Sequence, residues 1–328
     1  MQLLQRTTFD YPQAWYPLIC SDELPRGRAL AVRAFSDDLV AWRGRGGQAA
    51  VMARHCAHMG ADLARGVVSG DDLVCPLHRL HIDLAGHGRY TVDSAPALGP
   101  CQFALPVIER YGIVFVYLGA RPACELPAPY REPPRFGSRP FVEHFDTSFD
   151  AVCLNNFDRQ HFGTVHGREL QSFTVERPAE TGLRVRFQSR VAGAAFADKL
   201  MRAAGISEVN IEVEIHGGNL ALMRNPRTGA AAIITTLPVE AQSSRLFVVT
   251  FGANGSRLRF AIQSWIVMHF LKQDMRALDG MRIRLDAGLL AGDTVLKQWD
   301  DYYRALPRTS VARLRGRAGG VGQLAVVA

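Results

Sequence analysis

The first third of the chain alternates short apolar runs with polar turns, a pattern typical of β-strands. Residues 29–35 and 38–42 form two such β-rich pieces, and the RGRGG stretch at 43–47 is a turn by composition. The run YGIVFVYL at 111–118 combines β-branched and aromatic residues without alternation. It therefore predicts a strand that is buried on both faces.

The pattern changes at residues 121–140, which hold six of the seventeen prolines. Proline removes a backbone donor and fixes φ, so this segment predicts a linker without regular structure. Beyond the linker, residues 149–166 are helix-like in their spacing. The second half is therefore expected to differ in architecture from the first.

A sheet and a long helix are predicted for the second half. Residues 183–191 and 211–215 alternate apolar and polar positions, as half-buried strands do. Residues 246–251 and 258–267 are expected to continue the sheet. Residues 273–304 have helical spacing, with an apolar stripe formed by Leu278, Met281, Leu285, Leu289 and Leu296.

Length and composition are those of a globular enzyme rather than a disordered or fibrous chain. The 328 residues predict two domains, and 48% are hydrophobic. No apolar run is long enough for a membrane span, and no secretory leader is recognisable at the start. The six cysteines are too few for a disulfide scaffold, which favours a cytoplasmic protein.

The charge pattern predicts an acidic partner. The net charge is +7, and residues 308–328 carry four arginines and no acid. We interpret this segment as a basic, flexible tail.

The spacing of four residues indicates a metal cluster. Cys56-x-His58 is followed after sixteen residues by Cys75-x-x-His78, so two loops each supply one thiolate and one imidazole. Two cysteines on one iron and two histidines on the other are the ligands of a Rieske 2Fe–2S centre. Tetrahedral zinc accepts the same ligand types. Zinc fingers pair Cys with Cys and His with His, so the order here favours the cluster, with zinc as the open alternative.

A second set, Asp158-x-x-His161-x4-His166, has ligands suited to mononuclear iron. Two histidines and a carboxylate leave open positions on Fe(II) for oxygen and substrate. On a regular helix the two histidines would point about 140° apart. Both bind one metal only if the helix bends or ends between them, and Gly163 is the expected position of that break.

At this point the chain resembles the Rieske non-haem iron oxygenases. The stretches WYPLICSDELPRG, CAHMGADL and CPLHRLHID are similar to the N-terminal domain of that family, although Arg79-Leu80 stands where members often have Gly-Trp. The resemblance implies an α+β chain with an all-β Rieske 2Fe–2S domain at 1–120 and a linker at 121–140. It also implies a helix-grip catalytic domain at 141–307, in which an antiparallel sheet curves around a long C-terminal helix.

The resemblance also implies roles for particular residues. Cys56, His58, Cys75 and His78 would hold the cluster. His161 and His166 would bind iron with Asp274 as third ligand, before the C-terminal helix, and with Asp279 as the reserve. Asn155 and Asp158 would act beside the iron, Asp158 by hydrogen bonding a cluster histidine across a subunit boundary and carrying electrons onward.

The implied function is that of a terminal oxygenase subunit in a head-to-tail homotrimer. Such an enzyme uses a 2Fe–2S cluster, mononuclear Fe(II), O2 and electrons that NAD(P)H supplies through a separate reductase or ferredoxin. No G-x-G-x-x-G unit occurs in this chain, so the reductase would be another protein. An acidic ferredoxin would suit the arginines near the cluster loops, which are Arg54, Arg65, Arg79 and Arg89.

The expected substrate is an apolar small molecule, such as a natural product or a steroid-like compound. Hydroxylation, demethylation, desaturation and cyclisation are all open, and neither a nucleic-acid partner nor a membrane span is expected. The length resembles the homotrimeric monooxygenases more than the two-subunit ring dioxygenases. Two other classes remain: a Rieske-type electron carrier with a non-catalytic binding domain, and a zinc-stabilised interaction protein.

Overall fold

The computed structural model describes residues 10–90, 102–179, 182–193, 195–203, 205–282 and 294–319. The chain divides into two compact units. One contains Thr8–Cys124 together with the segment from Arg308, and the other contains Glu125–Pro307. The division at residue 124 falls inside the predicted linker at 121–140.

The first unit is built from short antiparallel strands. They are β1 (Tyr11–Pro12), β2 (Trp15–Cys20), β3 (Ala29–Ala34), β4 (Asp37–Arg43), β5 (Ala49–Ala53), β6 (Val67–Ser69), β7 (Asp72–Val74), β8 (His81–Ile82), β9 (Gly88–Arg89), β10 (Ala104–Leu105), β11 (Val107–Arg110) and β12 (Ile113–Tyr117). The three larger sheets run β10-β5-β4-β3, β11-β12-β2 and β6-β7-β8-β9. Every residue of β12 is buried, as its unbroken apolar run predicts.

The core of this unit surrounds the two cysteine loops. Trp42, Met52, Leu73 and Ile82 pack in one buried cluster that also contains Cys56 and Cys75. The strands on both sides of each loop are therefore anchored by apolar burial. The loops themselves are held at one edge of that core.

The second unit is an antiparallel sheet with helices. Its strands are β13 (Phe136–Gly137), β14 (Phe141–Phe145), β15 (Glu169–Ala179), β16 (Gly182–Arg190), β17 (Glu208–His216), β18 (Leu220–Arg224), β19 (Ala230–Glu240) and β20 (Ser243–Gly252). Their order is β13-β20-β19-β18-β17-β16-β15, and β14 also pairs with β20. Since β13 lies inside the segment 121–140, the predicted absence of regular structure is wrong at its end.

Five helices accompany the described part of this sheet. They are α1 (Phe149–Leu154), α2 (Gln160–Thr164), α3 (Phe196–Ala203), α4 (Arg257–Leu278) and α5 (Thr294–Ala305). Met275 of α4 packs against Phe145 and Val248 of the sheet. The α+β class, with a sheet-rich second unit, is as expected.

The long helix begins earlier than predicted. Residues 258–267 belong to α4 and do not form a strand, because Ser256 accepts a hydrogen bond from Arg259 N at 3.2 Å and caps the helix. No glycine or proline then interrupts the helix up to Leu278. The predicted helix at 273–304 is accordingly divided between α4 and α5, and Leu285 and Leu289 lie outside the described residues.

The described part of the C-terminal segment has regular structure. Strand β21 (Arg308–Thr309) pairs with β1, and α6 (Val311–Gly319) follows. Val311 and Leu314 are buried, and Arg315 pairs with Asp37 at 2.6 Å. The expectation of a flexible basic tail is therefore wrong for 308–319, because an apolar i, i+3 pair anchors the segment and Arg313 and Arg315 pair with Asp10 and Asp37. Among the described residues, no helix is long and apolar enough to span a membrane.

Candidate metal centres

The two cysteine loops share one backbone conformation. In the first, Cys56 N donates to Ala61 O at 2.9 Å, and Gly60 N donates back to Cys56 O at 2.7 Å. The second loop repeats this pattern with the bonds Cys75 N to Leu80 O at 2.8 Å and Arg79 N to Cys75 O at 3.0 Å. Each cysteine is therefore the first residue of a closed loop.

Both loops turn through a residue with left-handed φ at the fourth position after the cysteine. Gly60 has φ +74° and Arg79 has φ +56°. A Cβ at Gly60 would meet nothing within 4 Å, so the requirement there is conformational rather than steric. Arg79 adopts the same conformation at an energetic cost. Arg79, which stands where the family often has glycine, therefore occupies the position in this loop at which glycine is favoured.

The loops bring the four predicted cluster residues together with unequal exposure. Cys56 and Cys75 are 3% and 2% exposed, whereas His58 and His78 are exposed at the surface. The two imidazole rings lie 4.7 Å apart between centroids. This arrangement suits a cluster whose cysteine-bound iron is buried and whose histidine-bound iron faces outward.

The donor chemistry also suits a metal. Burial, followed by the neighbouring Cys75, raises the pKa of the Cys56 thiol to about 11. Cysteine binds metal as a thiolate, so a bound cation would replace these protons and connect the two loops.

Two polar residues hold the first loop in place. Gln102 is buried, donates through Nε2 to Ala53 O at 2.6 Å and His55 O at 3.0 Å, and accepts from Ala57 N at 2.8 Å. Sequence reasoning missed this residue, because a single glutamine far from the motif carries no pattern. All of its side-chain bonds end on the cysteine loop or the strand before it.

The second of these is Asp62, which pairs with Arg54 through two bonds of 2.8 and 2.6 Å. The Arg54 hydrogen bond lowers the pKa of Asp62 to about 2. Because the folded-state pKa is depressed, the pair's contribution to stability is present above the ordinary pKa of 3.8. That contribution is lost as the pH falls through about 2.

The second site forms where α2 ends. His161 lies in α2 and His166 follows its last residue, Thr164, so the two rings meet with centroids 5.1 Å apart. The break is not at Gly163, as the spacing suggested, because Gly163 is helical. The chain leaves the helix through Val165 and turns at Gly167, which has φ +62°.

Asp274 of α4 completes this site. Its Oδ1 lies 3.0 Å from His166 Nε2 and 3.7 Å from His161 Nε2. One ligand atom from each of the three residues lies within 4.8 Å of the others. Asp274 is thus inside the long helix, near its C-terminal end, and not before it as expected. The reserve candidate, Asp279, accepts a hydrogen bond from Asp146 N at 3.1 Å instead.

Hydrogen bonds on the far side of each ring orient the histidines. His161 Nδ1 contacts the carbonyl oxygen of Asp158, and His166 Nδ1 lies 2.8 Å from Gln273 Oε1. A carbonyl oxygen only accepts, so Nδ1 of each neutral ring carries the proton. In neutral rings the lone pair of each Nε2 faces the Asp274 carboxylate, and although burial opposes it, the hydrogen bond with Asp274 raises the pKa of His166.

This arrangement fits a cation. Two imidazole lone pairs and a carboxylate repel one another when they meet without a positive charge between them. The side chains of His161 and His166 are 8% and 6% exposed, so water screens this repulsion weakly. Two histidines and one carboxylate on one side of a cavity form a 2-His-1-carboxylate site of the kind that binds Fe(II).

The site opens into a cavity of about 730 Å³ between α4 and the sheet. His161, His166, Asp274 and Asn155 contribute to its wall, and most of the remaining wall is apolar. Asp158 lies at the start of α2, where its Oδ1 accepts from Gln160 N at 2.8 Å and His161 N at 3.4 Å. Asp158 thus caps the helix that carries His161.

Comparison with known families agrees with the first site. Residues 14–108 match the family described as Rieske [2Fe-2S] domain. Both cysteine loops lie within this range. The chain therefore contains a Rieske domain, and the resemblance recognised in its sequence is confirmed.

Relatives extend the likeness beyond that domain. The chain is 31% identical over 175 residues to the aminopyrrolnitrin oxygenase PrnD of Pseudomonas fluorescens, a match that covers 50% of this chain and 48% of that protein. It is 35% identical over 163 residues to the tert-butanol monooxygenase / tert-amyl alcohol desaturase oxygenase subunit of Aquincola tertiaricarbonis, covering 46% of this chain and 34% of that one. The matches thus span about half or less of these relatives.

Solved structures match nearly the whole chain. Dicamba monooxygenase bound to 3,6-dichlorosalicylic acid superposes with a TM-score of 0.69 at 16% identity, covering 94% of this chain and 98% of that one. At this identity the likeness establishes the fold. The chain therefore has the same fold as dicamba monooxygenase over nearly its whole length.

Proposed function

We propose that this chain is the terminal oxygenase component of a Rieske non-haem iron system. The observation that carries the proposal is the meeting of His161, His166 and Asp274 at the wall of a large apolar cavity. A chain that only carried electrons would not need this site. The Rieske domain in the same chain supplies a reason for electrons to be delivered to it.

Each set of residues would have its own role. Cys56, His58, Cys75 and His78 would hold the 2Fe–2S cluster, and His161, His166 and Asp274 would hold Fe(II). The iron, when bound, supplies O2 activation with electrons derived from NAD(P)H. Asp158 O and Gln273 Oε1 fix the histidine rings by accepting hydrogen bonds from Nδ1–H.

The cavity supports an apolar small molecule as substrate. Phe162, Phe187, Ile211, Val267 and Phe270 are among its lining residues. Such walls exclude water and hold a substrate mainly by apolar contact. The names of the two relatives also refer to small organic compounds. Hydroxylation, demethylation, desaturation and cyclisation remain open, as does a natural product or steroid-like substrate.

A cytoplasmic homotrimer that receives electrons from a ferredoxin or ferredoxin reductase completes the proposal. His58 and His78 are exposed beside Met59 and Leu77, which are 67% and 55% exposed, so the cluster edge is available for contact. Of the neighbouring arginines, Arg54 and Arg89 pair with acids of the same domain. Arg65 and Arg79 are exposed and would attract an acidic partner.

Metal analysis with a single-turnover measurement tests the proposal. Anaerobically purified protein should contain about three irons and two acid-labile sulfides per chain, without zinc. Reduced protein should then consume O2 in the absence of a reductase. Two irons per chain and no O2 consumption would instead indicate an electron carrier with a non-catalytic binding domain. Stoichiometric zinc without visible absorption would contradict both.

A further inference from the structure

A buried arginine lies beside the histidine–aspartate site. Arg168 follows the turn at Gly167, and its side chain is 6% exposed. The guanidinium carbon lies 4.5 Å from the centroid of the Phe270 ring, and Arg168 contributes to the cavity wall. The arginine is therefore held at the end of the cavity where His166 and Phe270 also lie.

The charge of Arg168 is compensated by one residue. Arg168 Nη2 lies 2.6 Å from Oδ1 of Asp198, a residue of α3 that is fully buried. Gly193 makes room for this carboxylate, because a Cβ there would lie 2.4 Å from Asp198 Oδ2. The pair is built into the protein and carries no net charge.

One donor of this arginine is not used. Within the described residues, Arg168 Nη1 is buried and has no hydrogen-bond partner. Buried donors are rarely left without a partner, because the loss of water is then uncompensated. Arg168 also contributes to the cavity wall, so a ligand in the cavity is the candidate partner.

A second unused polar group lies at the same end of the β15–β16 hairpin. Ser189 is 1% exposed, contributes to the cavity wall, and its Oγ has no partner in the described part of the chain. Ser189 pairs with Leu170 in the sheet register, two residues after Arg168. Two residues with an unpartnered donor or hydroxyl, Arg168 and Ser189, thus line one end of a mostly apolar cavity.

We propose that Arg168 Nη1 and Ser189 Oγ bind a carbonyl-type oxygen of a neutral substrate. A carboxylate would favour both arms of the guanidinium, but Asp198 already occupies Nη2. Since Asp198 also balances the charge, the free donor suits a neutral acceptor. This inference rests on the proposed function only in that the ligand is taken to be the substrate, which the oxygen contact would orient toward the iron site.

A matched set of ligands tests the inference by binding alone. Methyl naphthyl ketone, ethylnaphthalene and naphthoate share one ring system and differ in the polar group. We expect the iron-loaded wild type to bind the ketone about tenfold more tightly than the hydrocarbon in equilibrium dialysis, as one hydrogen bond would give. Equal affinities, or no binding of the ketone, would overturn the inference.

Variants assign the preference to the two groups. Arg168→Met alone would leave the Asp198 charge buried and unpaired, so the variant used is Arg168→Met combined with Asp198→Asn. This double variant should bind the ketone and the hydrocarbon about equally. Ser189→Ala should reduce the ketone preference about threefold. The control is Thr228→Val, since Thr228 also lines the cavity but its hydroxyl already accepts from Ala230 N at 3.3 Å.

The charge argument has its own variant. Asp198→Asn leaves the guanidinium uncompensated, so naphthoate should bind about tenfold more tightly than to wild type.

An unchanged ketone preference in both Ser189→Ala and the double variant would overturn the inference, and Ser189→Ala decides alone if the double variant does not fold. Iron content is measured on the same samples. Loss of ketone preference with three irons present counts against this inference only, whereas two irons with the preference intact count against the oxygenase.

Discussion

The cluster loops and the histidine–aspartate site differ in sequence span and in exposure. Cys56 and Cys75 begin two loops of one small domain, and the ligand histidines of these loops are exposed. The second site joins α2 to α4, with His166 and Gln273 separated by 107 positions in the sequence, and its histidines are buried. An electron site must meet another protein, whereas a site that handles substrate and oxygen must be enclosed.

The two sites also differ in what keeps their shape. Backbone hydrogen bonds within each loop define the position of the cysteines, and Gln102 is the distant residue that supports the first loop. At the second site, side chains from separate elements orient one another, as Gln273 does for His166. Substitutions should therefore act locally at the first site and through packing and metal affinity at the second.

The largest effect is expected from Cys75→Ser. It should abolish the red-brown colour and lower the stability of the first domain by several kcal/mol, since metal binding is coupled to folding. Visible absorption, sulfide content and thermal unfolding measure this. Cys20→Ser is the control, because Cys20 is also buried in this domain but lies outside the loops. If Cys75→Ser kept its cluster, the first site would not depend on this cysteine as proposed.

A matched aspartate pair tests the second site. Asp274→Asn should lose the mononuclear iron and reduce turnover by at least about 100-fold, while the cluster absorption stays unchanged. Asp279→Asn should keep three irons, because Asp279 accepts a hydrogen bond from Asp146 N and is not part of the histidine–aspartate cluster. Iron per chain, normalised to cluster absorption, is the measurement. The reverse result would make Asp279 the ligand.

Asp158→Asn tests the expected electron route, in which Asp158 bonds a cluster histidine across a subunit boundary. Asparagine still caps α2, so iron content and stability should be normal, whereas loss of the charge should slow cluster reoxidation by about 10- to 100-fold. Stopped-flow single turnover of pre-reduced protein with oxygen follows the cluster band. Asp158→Ala serves as the comparison and should also lose about 1 kcal/mol of helix capping. Reoxidation at the wild-type rate in Asp158→Asn would exclude this residue from the electron route.

The smallest effect is expected from Arg79→Gly. Removing a left-handed φ from a non-glycine residue should stabilise the loop by up to about 1 kcal/mol. Loss of an exposed charge should make reduction by an acidic ferredoxin a few times slower at low salt. Arg65→Gln separates the effect of charge from the effect of backbone conformation, because it removes a charge without changing the backbone. Equal thermal stability of Arg79→Gly and wild type would show that the loop tolerates this conformation without cost.

What the sequence determined by itself is local. The two Cys-x-His and Cys-x-x-His loops, the buried strand at 113–117 and the α+β class follow from residue spacing and apolar runs within short windows. Short-range patterns carry this information because the interactions that they specify are themselves short-range.

What only the tertiary structure decided depends on contacts between distant segments. Alternating apolar residues at 258–262 predict a strand, but Ser256 and a breaker-free segment make a helix that carries Asp274 to His161 and His166. The arginines of 308–319 look like a solvated tail until Asp10 and Asp37 are found beside them. No local pattern pairs Arg168 with Asp198, because burial in the folded domain is what makes that pairing necessary.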